Sequence, residues 1–64
     1  MRKGDIVRSI NTGFIVRVVS VDSDGKYFAG VKIGNALMEY LPERFHWFCP
    51  CWVSVNFVPV EEAR

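Results

Sequence analysis

The chain has 64 residues, half of them apolar, with eight basic and seven acidic side chains and a net charge of +1. Such a length makes a single domain, residues 1–64, that buries only about 60% of its unfolded surface. The charge balance is no footprint for backbone-driven nucleic-acid binding, which needs a clear basic excess or a one-sided basic face.

Lys3-Gly4-Asp5 reads as a turn feeding a first strand through Ile6, Val7 and Arg8, and Asn11-Thr12-Gly13 as the turn that ends it. Phe14 to Val21 is the best strand pattern, with five β-branched residues in eight. Phe14, Val16 and Val18 fall on one face, and Ile15, Val19 and Val21 share the other with Arg17. Apolar residues on both faces predict a central, bent strand serving two halves of a small barrel, with a bulge near Val18-Val19. Asp22-Ser23-Asp24-Gly25 predicts a tight hairpin with Gly25 left-handed.

Lys26 to Ile33 predicts the third strand, where Gly30 permits a close crossing. Gly34-Asn35 predicts a turn and Ala36 to Leu41 a fourth strand. Pro42-Glu43-Arg44-Phe45 suits one helical turn with proline at its first position. His46 to Phe48 resumes extended structure and Cys49-Pro50-Cys51 interrupts it. Trp52 to Val60 then supplies a last strand that Pro59 marks as an edge or an end, and residues 61–64 read as a solvated tail.

Short strands with turn signals between them predict an all-β fold, a small antiparallel barrel of five strands. The one-turn helix precedes strand five, and an extra strand follows it. The opening Gly4-Asp5-Ile6-Val7, Gly13 before a Val-rich strand, and the Asp24-Gly25 hairpin resemble Src-homology-3-like barrels over residues 3–48. Tyr40-Leu41-Pro42-Glu43-Arg44-Phe45 resembles the close of very small bacteriophage proteins. The resemblance implies a one-turn helix before the fifth strand and a phage-encoded chain. Its natural partner would then be a host or defence factor, inhibited in the anti-CRISPR or anti-restriction manner. Residues from Cys49 onward have no counterpart in that pattern.

Tyr40 to Trp52 holds both cysteines, both tryptophans and the single histidine. His46, Cys49 and Cys51 are three soft ligands, but zinc takes four and Cys-x-Cys is tighter than its usual spacing. No metal or other cofactor is assigned, and both cysteines read as reduced thiols packed as small apolar groups. His46 and Cys49 fall on opposite faces of an extended segment, and no oxyanion loop or orienting group accompanies them, so no enzyme is expected.

Two Trp, two Tyr and five Phe exceed what so small a core encloses, which predicts an exposed aromatic patch. Trp47, Phe48 and Trp52, with Arg44 and Phe57, are the candidate partner-binding residues of a protein-interaction module. Pairing of two copies through the C-terminal strand is the expected route to a homodimer. A nucleic-acid-binding barrel is the second reading, and it requires Arg8, Arg17, Lys26, Lys32 or Arg44 on the face that carries the aromatics. No apolar run nears the roughly 20 residues of a membrane span. Asp5 after Arg2 and Lys3 leaves no signal-peptide pattern, so a cytoplasmic location without a membrane partner is expected.

Overall fold

The first three β-branched runs form strands where the alternation places them. The computed structural model describes residues 1–36 and 38–60. In it, β1 (Ile6–Ser9), β2 (Phe14–Val21) and β3 (Tyr27–Asn35) make an antiparallel meander. The β2–β3 connection is the predicted hairpin. Gly25 adopts φ +77°, its N–H donates to the Asp22 carbonyl at 3.0 Å, and the Asp24 carboxylate accepts from the Lys26 N–H at 3.2 Å. A side chain with a Cβ is strained at that φ, which is why glycine stands there.

Short segments complete the sheet: β4 (Glu39–Tyr40) and β5 (Trp47–Val53), both against β3, and β6 (Phe57–Pro59) against β1. The result is a curled antiparallel sheet in the order β4-β3-β2-β1-β6, with β5 beside β4 along the same edge of β3. Its concave side carries the core. Val7, Val16, Val18 and Phe28 are buried there, with Phe14, Val21, Trp52 and Phe57 packed against them. β2 is central, as its two apolar faces require. Ile15 is also fully buried, on the opposite face from Val16. The register slips between Val18 and Ser20, so Val19 is the extra residue of a bulge at the expected place.

Several boundaries differ from the expectation. Gly34 and Asn35 belong to β3 rather than to a turn. Gly34 is small because β4 crosses over it: a Cβ there would stand 2.7 Å from the Glu39 carbonyl oxygen. The reversal falls at Ala36–Glu39, where Met38 has φ +64°, and only Glu39–Tyr40 pairs as a fourth strand. Leu37 and the tail at 61–64 lie outside the described residues. The single helical turn before β5 is a 3-10 turn over Glu43–Phe45 behind Pro42.

Cys49-Pro50-Cys51 does not end the strand. β5 runs through it to Val53, because the loss of the Pro50 N–H is absorbed in a bulge. The long final strand expected from Trp52 divides into the end of β5, a 3-10 turn over Ser54–Asn56, and the three-residue β6. The chain must cross there from β3 to β1, and the tight turn makes that crossing. Ser54 fixes it, its hydroxyl lying 2.6 Å from the Gly25 carbonyl oxygen and 3.0 Å from that of Lys26. Among the described residues, no helix is long and apolar enough to cross a membrane.

Candidate functional site

Trp47 and Trp52 are five positions apart, so a regular strand would point them to opposite faces. The register prevents this. Trp47 lies opposite Lys32, Cys49 opposite Gly30 and Trp52 opposite Phe28, so three steps of β5 match two of β3 between the last two pairs. The extra residue at Cys49-Pro50-Cys51 brings both indoles to the concave face.

There they begin an aromatic ladder. Trp47 and Trp52 meet edge-to-face at 5.9 Å, Trp52 meets Phe57 at 5.4 Å and Phe14 at 6.3 Å, and Phe57 meets Phe28 at 5.0 Å. The Lys32 ammonium sits 4.0 Å from the Phe14 ring centroid. Each edge-to-face pair contributes about 0.5–1.5 kcal/mol beyond its buried area. The inner end rests on the fully buried Phe28, while the outer end, Trp47, remains 56% exposed. Trp52 Nε1 is buried within the ladder and has no hydrogen-bond partner among the described residues.

The five candidate partner-binding residues therefore separate. Trp47, Trp52 and Phe57 form one connected group, of which Trp52 and Phe57 are chiefly core. Phe48 points from the other face of β5, beside Val31, and is 51% exposed. Arg44 belongs to the 3-10 turn, where its guanidinium lies 5.0 Å from the Phe45 ring centroid. Phe14 and Lys32 complete the ladder and are not legible as partners of the tryptophans. A proline inside an otherwise extended run is the one sequence signal of the bulge that joins them.

The remaining expectations concern His46, the thiols and the last strand. His46 Nε2 donates to the Leu41 carbonyl at 3.1 Å, fixing the chain on either side of the 3-10 turn. Both cysteines are free, Cys49 half-buried and Cys51 exposed. Among the described residues, no three His, Cys, Asp or Glu side chains gather as a metal site.

On β6, Val60 N–H donates to Ile6 and Ile10 N–H to the Asn56 carbonyl, so residues 56, 58 and 60 face β1 and Phe57 and Pro59 face away. The Phe57 N–H is taken by the Ser54 carbonyl, and Pro59 has none. Among the described residues the outer edge of β6 thus offers carbonyls but no N–H donor.

No family model, curated protein or solved structure matches the chain.

Proposed function

We propose that this chain is a non-enzymatic docking module that inserts Trp47 into a pocket on another protein. The observation that carries the reading is the ladder itself. Trp47 is largely exposed, yet its ring leans on Trp52, which Phe14 and Phe57 hold in turn. A large aromatic ring already fixed in place loses little freedom on binding, the condition under which tryptophan acts as an interface hot spot. Arg44 and Phe45, on the turn just before β5, add a second amphipathic contact.

The resemblance to small Src-homology-3-like barrels of bacteriophage type supports a host or defence factor in the host cytoplasm as the partner, with inhibition as the outcome. The 3-10 turn ahead of β5 agrees with that pattern. The test is capture from a host lysate by the chain and by Trp47→Ala, followed by titration of the purified partner against both. Trp47→Ala is expected to weaken the complex about 30-fold, the 2 kcal/mol that defines a hot spot. A reconstituted complex indifferent to Trp47→Ala refutes the reading.

A further inference from the structure

The convex face of the sheet carries a second set of groups. Register places Ile6 opposite Arg17, Arg17 opposite Val31, and Val31 opposite Phe48, a single row across β1, β2, β3 and β5. Arg8 is two residues beyond Ile6 on the same face, the diagonal neighbour of Arg17 at about 7–8 Å. Phe48 is two strands from Arg17, roughly 10 Å away. Arg8, Arg17 and Phe48 are exposed, Ile6 and Val31 are half-buried between them, and among the described residues no acidic side chain stands in the row or at its diagonal. The one-sided basic and aromatic face that the net charge of +1 conceals is thus assembled by the fold.

We propose that this convex face binds single-stranded nucleic acid, with two consecutive phosphates on Arg8 and Arg17 and a base stacked on Phe48. Guanidinium groups donate bidentately to phosphate oxygens. The spacing of the two arginines is comparable to that of successive phosphates along an extended strand. Phe48 offers a ring about half of whose surface is open to solvent, and stacking on such a ring is possible for every unpaired base. Tyr27, on the same face of β3 about 13 Å from Val31, pairs with Asp22 and lies outside the site. Asp22 and Asp24, on the β2–β3 turn, close that end to a phosphate chain. A duplex keeps its bases from Phe48 and fits poorly. This surface is on the opposite side of the sheet from Trp47 and does not depend on the docking reading.

The test uses the whole chain and a fluorescein-labelled oligothymidylate, followed by anisotropy. Saturable binding is expected, and two phosphate contacts give a log–log salt slope of about −1.4, a sevenfold loss between about 50 and 200 mM salt. Arg8→Gln and Arg17→Gln each reduce that slope by about 0.7. Phe48→Ala weakens binding roughly tenfold, and Phe48→Leu, which keeps apolar bulk without a ring, does so at least fivefold. Val55→Ser, on the exposed 3-10 turn, leaves it unchanged. The proposal is overturned by no saturable binding at the lowest salt, by binding indifferent to the Arg and Phe48 variants, or by equal affinity for the duplex. It is also overturned if poly-L-glutamate displaces the oligonucleotide as well as unlabelled oligothymidylate does, which would assign the face to carboxylates of a protein. None of these results bears on capture through Trp47.

Discussion

Gly30 lies where β3 is packed too tightly against β2 to admit a Cβ, and Gly30→Ala measures how tightly. An ideal Cβ at Gly30 would stand 2.6 Å from Val16 Cγ1, 2.8 Å from the Arg17 carbonyl oxygen and 3.4 Å from Phe28 Cε2. The first two distances are shorter than real contacts, so neighbours must move. Val16 is fully buried with a stiff χ1, and Arg17 O is backbone in the central strand, so neither yields cheaply. Overpacking of this kind costs about 1–3 kcal/mol, against which the reduced entropy of the unfolded chain returns about 0.4–1 kcal/mol. A net loss of about 1.3 kcal/mol lowers the melting temperature by roughly 5–10 °C in a domain of this size. Thermal circular dichroism reads it directly, and urea titration should show a lower midpoint at unchanged m. Adding Val16→Ala removes the nearer obstacle, so the double variant is less destabilised than the sum of the two by about 1 kcal/mol. A Gly30→Ala protein that melts with the parent refutes the close approach and the register that produces it.

Further outcomes follow from the same packing. Deletion of Pro50 leaves Cys51 alone between the Cys49–Gly30 and Trp52–Phe28 pairs, which makes β5 regular, so the variant should keep its near-ultraviolet tryptophan dichroism and melt within a few degrees of the parent. If the deletion instead turns Trp52 outward, the loss is about 3–5 kcal/mol and the chain unfolds. Trp52→Ala should by itself cost that 3–5 kcal/mol, whereas Trp47→Ala, at an exposed position, should cost below about 1.5 kcal/mol, the value of one aromatic pair, in chemical denaturation. Ser54→Ala removes the hydroxyl that ties the 3-10 turn to Gly25 and Lys26 and should lower the melting temperature by about 4–8 °C, for about 1 kcal/mol.

Much of the fold was legible because the signals that specify it are local. Asp24-Gly25 is a turn whatever surrounds it, and Phe14 to Val21 is a strand by its own β-branched residues. Its slip in alternation locates the Val19 bulge before any partner strand is known. Pro42 likewise announces the 3-10 turn at Glu43–Phe45. The structure departs from the sequence pattern where a glycine or proline has two uses. Gly34 reads as a turn but serves as the clearance under Glu39 O, and Pro50 reads as a break but occupies a bulge. Distinguishing those uses requires the neighbouring strand.

The segment from Tyr40 to Trp52 shows the division most clearly. Its composition announces by itself that more aromatic surface is present than the core can enclose. It does not say which ring faces which way, since the side-chain period of a strand is two and one extra residue reverses every assignment beyond it. Pairing with β3 decides that Trp47 joins Trp52, Phe14 and Phe57 on the concave side while Phe48 joins Arg17 and Arg8 on the convex side. The sequence determined the first three strands, the Asp24-Gly25 hairpin, the single helical turn and the surplus of aromatic residues. Only the register between distant strands decided that the surplus forms two separate surfaces.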